Sequence, residues 1–152
     1  MTGPRPEPPL MGVVADDLTG AGDIGVLFAK HGLAVRVFTA DLDVRELPAL
    51  LAARAGQGEA GRTDVVVLDT DSRLLPAAEA AARVRAATRA LQACGCRRFW
   101  KKTCSVFRGN VGVEFDALLD TLGLDFAPAV AAFPRNGRTT VQGRHFVRGV
   151  PL

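Results

Sequence analysis

The stretch Val14-Ala15-Asp16-Asp17-Leu18-Thr19-Gly20-Ala21-Gly22-Asp23 decides how this chain is read. A short apolar run, Met11–Ala15, stops at two adjacent carboxylates and passes through a glycine-rich turn into a helical pattern over Gly22–His31. A buried strand feeding a helix is half of a βαβ unit. The same alternation continues outward. Apolar runs at Ala34–Phe38, Asp64–Leu68, Arg98–Lys102 and Pro128–Phe133 alternate with helical patterns at Val44–Ala53, Ala77–Ala93 and Val111–Leu122. Over Ala77–Ala93, Ala, Val and Leu recur at helical spacing, Pro76 sits at the first turn and Gly95 ends the run. Alternation of this kind predicts an α/β fold in three layers, a parallel sheet with helices on both faces.

The remaining segments are assigned from composition. Residues 1–10 are polar and Pro-rich and read as a disordered lead-in; Gln57–Arg62 reads as a loop. Arg138–Val141, Gly143 and His145–Val147 predict a C-terminal hairpin or a pair of edge strands. Residues 11–152 are enough for one domain with its own core. The chain stops at Pro151-Leu152 with neither a helix cap nor a polar tail, so truncation of a larger protein is expected.

Charge and composition exclude several function classes. Apolar residues are 48% and charged residues 23%, an ordinary globular mixture. The net charge of +3 is scattered, with no Lys/Arg run interleaved with aromatics, so no nucleic-acid partner is expected. The N-terminus lacks the apolar core of a signal peptide, and no run reaches the ~20 residues that span a bilayer. A cytoplasmic protein with no membrane partner is expected. Cys94-Gly95-Cys96 has the wrong spacing for a CxxC pair, and His31 and His145 lie far from it in sequence. Reduced structural thiols and no metal site follow.

Ligands of open α/β sheets bind beyond the carboxyl ends of the strands, and four such positions are polar here. After the first run come Asp16, Asp17 and Asp23. Gly20, Gly22 and Gly25 match GxGxxG, with Asp41 after the next run, which is the Rossmann pattern of an NAD-binding module. Against it stands charge: a pyrophosphate would meet three carboxylates at the helix N-terminus it needs. Carboxylates there suit hydroxyl groups or Mg²⁺ better, while Asp17 or Thr19 can equally cap the helix. After the third run come Asp69, Asp71 and Arg73. After the fourth come Lys102, Ser105, Arg108, Gly109 and Asn110, placed before a helix N-terminus as an anion site would require; Asn110 can also serve as the N-cap. After the fifth, the turn signal Asn136-Gly137 lies between Arg135 and Arg138. Carboxylates on one side and cations on the other match a small polyhydroxy acid.

Four segments in register carry a family resemblance: Val14–Ala21, Asp69–Arg73, Lys101-Lys102 with Ser105 and Arg108–Asn110, and Phe133-Pro134 with Asn136–Thr140. In order and spacing they resemble the four-carbon acid sugar kinases, which act on D-threonate, D-erythronate and 3-oxo-tetronate, and they cover nearly all of residues 11–152. The resemblance implies an N-terminal α/β substrate domain followed by an ATP-binding domain, with ATP and Mg²⁺ as cofactors held mainly by that second domain. It implies a sugar-acid site lined by Asp17, Arg73, Arg108, Asn110 and Arg138, to which the residue reading adds Asp16, Asp71, Lys102, Ser105, Gly109 and Asn136. Asp17 is expected to orient or deprotonate the attacking hydroxyl, and Lys102, Arg108 and Arg138 to hold the carboxylate. A homodimer is expected. Residues 1–152 contain no GxxxxGK[ST], so they alone are expected to bind a sugar acid and not to phosphorylate it. The alternatives are an NAD-binding module and a non-catalytic sugar-acid-binding fragment. One departure stands out: Cys104-Ser105-Val106 occupies the place where the family commonly has Asp-Ser-Thr. It points to a different sugar acid or to a non-catalytic relative.

Overall fold

The computed structural model describes residues 7–55 and 57–152; most of the expected lead-in, residues 1–6, lies outside the described residues. Strands β1 (Met11–Ala15), β2 (Val35–Phe38), β3 (Val65–Asp69) and β4 (Phe99–Lys102) form a parallel sheet in the order β2-β3-β1-β4. In register, Ala15 lies opposite both Asp69 and Lys102, so the polar segments after β1, β3 and β4 emerge along one edge.

Side-chain alternation builds the three layers. Val13, Ala15, Val65 and Val67 pack on Ala21 and Ile24 of helix α1 (Leu18–Lys30). Their neighbours Val14, Val66 and Leu68 face the other way, onto α2 (Leu47–Ala55), α3 (Ala77–Ala93) and α4 (Val111–Leu122) through Leu47, Val84, Leu91 and Leu118. Every residue of β3 is buried, as a central strand covered on both faces requires. Each fully buried Val or Leu contributes about 1.5–3 kcal/mol. At Gly12 a Cβ would sit 3.0 Å from the Leu91 side chain, so glycine lets α3 approach β1 closely.

The α/β class, the four strands and the bounds of α3 and α4 agree with the sequence reading. Four segments differ. The expected helix Val44–Ala53 divides into a 3-10 turn, Val44–Glu46, where Asp43 accepts from the Arg45 amide, and the α-helix Leu47–Ala55. Helix α1 starts at Leu18 rather than Gly22, because Asp17 Oδ1 accepts a hydrogen bond from the Gly20 amide at 2.8 Å and caps the helix early. Within Gln57–Arg62 a 3-10 turn forms at Gly58–Gly61. Pro128–Phe133 forms no strand. Proline supplies no N–H to a ladder, Val130 is 85% exposed, and only Phe133 makes a bridge, to Arg138.

The C-terminal hairpin forms and gains a third strand. β5 (Arg138–Val141), β6 (Arg144–Val147) and β7 (Val150–Pro151) make a separate antiparallel sheet. Its turns, Gln142-Gly143 and Arg148-Gly149, have positive φ at both residues, which matches the right-handed twist of the hairpins they close.

Beneath the sheet edge lies a buried polar chain. Lys101 Nζ sits 2.6 Å from Glu114 Oε2, with both side chains 1% exposed. The Ser72 hydroxyl lies 2.6 Å from Glu114 Oε1 and 2.8 Å from the Thr70 hydroxyl, which in turn lies 2.7 Å from the Ala15 carbonyl; with one proton on each hydroxyl, two of these three contacts are hydrogen bonds at a time. The chain joins β4, α4, the segment after β3, and β1. Breaking such a pair strands a buried charge at a cost of about 3–5 kcal/mol. Glu114→Ala is therefore expected to destabilise the chain by about that amount in urea unfolding. Lys101→Met combined with Glu114→Leu should recover a substantial part of the loss. A single-variant loss below about 1 kcal/mol, the range of exposed pairs, contradicts this account.

Candidate functional site

Arg73 organises the sheet edge. Its guanidinium makes a two-pronged contact with Asp16, Nε to Oδ2 and Nη2 to Oδ1, both at 2.9 Å, and its Nη1 donates to Asp17 Oδ2. Asp16 is 2% exposed, so this is a largely dehydrated, charge-assisted contact. The hydrogen bonds Arg73 donates to Asp16, reinforced by both aspartate charges, hold the Arg73 pKa above its ordinary value. The backbone locks the same junction: the Ser72 and Arg73 amides both donate to the Asp16 carbonyl. Asp17 therefore has two roles, capping α1 through Oδ1 and binding Arg73 through Oδ2.

Two more carboxylates flank the triad. Asp69, at the end of β3, accepts from the Asp71 amide at 2.9 Å. Burial pushes its pKa up. The Asp71 hydrogen bond opposes that shift, and the charges of Asp71, Asp17 and Asp16 add to it. Asp71 itself is exposed and has φ +43. Among the described residues, no group of three or more His, Cys, Asp or Glu side chains is arranged to hold a metal ion.

The cationic wall comes from the segment after β4. Lys102 lies over the start of α1, where its Nζ would be 3.4 Å from a Cβ at Gly20. Arg108 donates from Nε to Cys104 Sγ at 3.2 Å. The Cys104 amide donates to Asp16 Oδ2 at 3.3 Å, which ties this segment to the triad. Asn110 holds the N-cap position of α4, but its side chain makes no capping bond. Its Nδ2 donates to the carbonyls of Ser72, Arg73 and Leu75, and so clamps the segment after β3. Gly109, at φ +87, packs where a Cβ would lie 2.4 Å from the Arg73 carbonyl, so only glycine fits. Asp16, Asp17, Arg73, Lys102, Arg108, Gly109 and Asn110 thus converge on one edge.

The rest of the expected site is arranged differently. Ser105 contributes its carbonyl to the Nε2 of His145, at 3.1 Å. A carbonyl can only accept, so Nε2 carries the proton and Nδ1 accepts from the Thr140 hydroxyl at 3.0 Å. His145 also meets the Phe107 ring edge-on at 5.6 Å. This buried histidine fastens the antiparallel sheet to the 103–110 segment. In the sequence it was a lone histidine in an alternating strand, with no local signal of that contact. Asn136 and Arg138 line a separate cavity of about 460 Å³ with Arg135, Gly137 and Arg148; no residue of the triad or of the 102–110 segment lines it. A larger cavity of about 680 Å³ opens near Leu10, Leu51, Asp64 and Cys94, at the amino ends of the strands. Its position is the wrong edge for a ligand of an open α/β sheet.

This geometry is unfavourable to the Rossmann reading. Gly20, Gly22 and Gly25 lie inside α1, and the Gly20 amide at its start is already taken by the Asp17 carboxylate. A pyrophosphate there would displace a carboxylate and stand against the others. The edge instead offers acceptors for hydroxyl groups beside two cations, Lys102 and Arg108.

Cys104 sits in an anion-stabilising niche. Burial pushes its thiol up, but the Arg108 hydrogen bond, the Val106 and Arg108 amides and the Arg73 charge together leave it below the ordinary value. Burial instead drives Cys94 and Cys96 up, to about 11 and about 12. Thiolate absorbance near 240 nm should therefore show one group titrating below the other two. That transition should vanish in Cys104→Ser and move to higher pH in Arg108→Leu. An early transition that survives Cys104→Ser contradicts the assignment.

Comparison with known proteins gives the family. The family model described as a sugar-binding N-terminal domain matches residues 11–152. The chain is 40% identical over 148 residues to the 3-oxo-tetronate kinase of Burkholderia multivorans, covering 95% of this chain and 32% of that protein. It is 41% identical over 141 residues to the D-erythronate kinase of Heliobacterium modesticaldum, covering 92% and 30%. A Bordetella bronchiseptica protein, described as a domain of unknown function with bound citrate in a domain-swapped dimer, superposes with a TM-score of 0.77 at 36% identity, covering 95% of this chain and 35% of that one. The chain spans about a third of the length of the curated relatives it matches. With the acidic triad and cationic wall at the strand ends and the family model spanning both sheets, the chain belongs to the sugar-binding N-terminal domain family of the four-carbon acid sugar kinases.

Proposed function

We propose that residues 11–152 bind the sugar-acid substrate of an ATP-dependent kinase for four-carbon acids of the threonate, erythronate or 3-oxo-tetronate type. The observation that carries this reading is the Asp16–Arg73–Asp17 triad facing Lys102 and Arg108 across one sheet edge. Its polarity matches a ligand with hydroxyl groups at one end and a carboxylate at the other. Lys102 and Arg108 take the carboxylate; Arg108 uses the guanidinium donors that Cys104 leaves free. Asp17, already bound by Gly20 and Arg73, keeps lone pairs with which to accept a hydrogen bond from the attacking hydroxyl. Phosphoryl transfer needs little covalent chemistry from the protein, and positioning with charge stabilisation supplies most of the catalysis. ATP with Mg²⁺ is the proposed phosphoryl donor. Residues 1–152 show no P-loop sequence and, among the described residues, no metal-ligand cluster, so no step here is assigned to them.

The citrate and the domain-swapped dimer of the Bordetella relative support two parts of the reading, a small carboxylic acid as ligand and a homodimer. No helix of the described residues is long and apolar enough to cross a membrane, which is consistent with the cytoplasmic location we propose.

Calorimetric titration of this chain with D-erythronate and threonate should show saturable binding. Arg108→Leu should weaken it about tenfold or more, the usual cost of one charge-assisted hydrogen bond. Light scattering on the same samples reads out the dimer. Tight NAD binding with no sugar-acid binding overturns the proposal in favour of a nucleotide module. In a polypeptide that also carries an ATP-binding domain, Asp17→Asn should lower kcat by about 10²–10⁴-fold. A fall of less than about tenfold removes Asp17 from the proton-accepting role.

A further inference from the structure

Three arginines, Arg135, Arg138 and Arg148, line the cavity of about 460 Å³ beside the antiparallel sheet, and no carboxylate lines it with them. Among the described residues, none of the three pairs with Asp or Glu, and none donates a side-chain hydrogen bond to the protein. Arg36, Arg45, Arg62, Arg73 and Arg83 bond to groups of the chain, whereas Arg54, Arg89, Arg97, Arg98 and Arg144 also make no such bond among the described residues; what sets Arg135, Arg138 and Arg148 apart is that they line one cavity together. Three like charges gathered without a counter-charge repel one another, and an anion is what relieves that repulsion.

The gathering is fixed by the backbone. Arg135 lies in the 3-10 turn Pro134–Asn136, Arg138 opens β5, and Arg148 lies in the turn between β6 and β7. The Arg148 amide donates to the Gly137 carbonyl at 2.7 Å, which folds the β6–β7 turn back onto the start of β5. Gly137, at φ +69, leaves room for the Arg148 stem: a Cβ there would be 3.1 Å from Arg148 Cγ. Arg148 itself has φ +51, a position of the two-residue hairpin turn that Asn, Asp and Gly dominate.

We propose that this cavity binds the phosphate group of an organic phosphate. Guanidinium forks match phosphate oxygens in pairs. The volume lies within the ~300–1,000 Å³ of small-ligand sites, which leaves room for more than inorganic phosphate. Two sources share the chemistry: a nucleotide polyphosphate and a phosphorylated four-carbon acid. The proposal does not rest on the sugar-acid site and assigns Arg138 to phosphate rather than to the substrate carboxylate.

The test is an NMR titration of this chain that follows the arginine Nε–H signals, with ATP, tripolyphosphate, a phosphorylated four-carbon acid and unphosphorylated D-erythronate as separate probes. At least one phosphate-bearing probe should shift Arg135, Arg138 and Arg148 together and saturate. The tighter-binding probe identifies the source. Arg148→Gln should weaken that binding about tenfold or more. Arg135→Gln, on an exposed turn, should do the same with the amide fingerprint otherwise unchanged, which covers the case in which the Arg148 variant perturbs its turn. The proposal is overturned if no phosphate probe moves these three signals, if D-erythronate moves them equally, or if both variants keep the original affinity. Its failure would leave D-erythronate binding at Lys102 and Arg108 unaffected, so the two readings fall separately.

Discussion

The contact between the Arg73 guanidinium and the Asp16 carboxylate is the constraint on which the rest of the edge depends. It joins the end of β1 to the segment after β3, two places 57 residues apart in the chain, by two parallel hydrogen bonds in a nearly dry setting. Once it is made, Asp17 can cap α1 and still reach the same guanidinium, and the Cys104 amide finds an acceptor on Asp16. Three strand ends are thereby held as one surface. Asn110 and Gly109 complete it from the segment before α4, the first by bonding three carbonyls and the second by leaving room for the Arg73 backbone.

Supporting that surface is the buried Lys101–Glu114 pair and its hydroxyl chain through Ser72 and Thr70. Adjacent lysines on β4 thus take opposite tasks. Lys101 points into the core and is neutralised by Glu114, while Lys102 reaches the opposite face of the sheet beside α1. The niche around Cys104 explains why a thiol can occupy a place where the resembling family commonly has aspartate. Arg108 and Arg73 stabilise negative charge there whichever acid supplies it.

Much of this was legible in the sequence, for identifiable reasons. Helix α3 carries clear apolar periodicity with Pro76 and Gly95 at its limits, and its bounds follow from it; the bounds expected for α4 also hold. The parallel sheet follows from alternation, because a strand buried on both faces has to be apolar throughout, as Val65–Leu68 is. The start of α1 was misread because glycines signalled a turn, whereas one capping carboxylate was enough to draw them into the helix. Pro128–Phe133 has a strand's composition, but its proline removes a ladder donor and its side chains find no cover. The docking of His145 and the return of Arg148 over Gly137 were not legible at all, since each depends on where a hairpin folds back and not on a local pattern.

The central claim is that the triad and the 102–110 segment form one sugar-acid site. A crystal structure of this chain with D-erythronate or threonate tests it most directly. The account predicts a ligand hydroxyl within hydrogen-bond reach of Asp17 and the ligand carboxylate on Lys102 and Arg108, with the Asp16–Arg73 contact intact. A ligand seated in the cavity near Leu51 and Cys94, or an Arg73 that leaves Asp16 to bind it, would contradict the account.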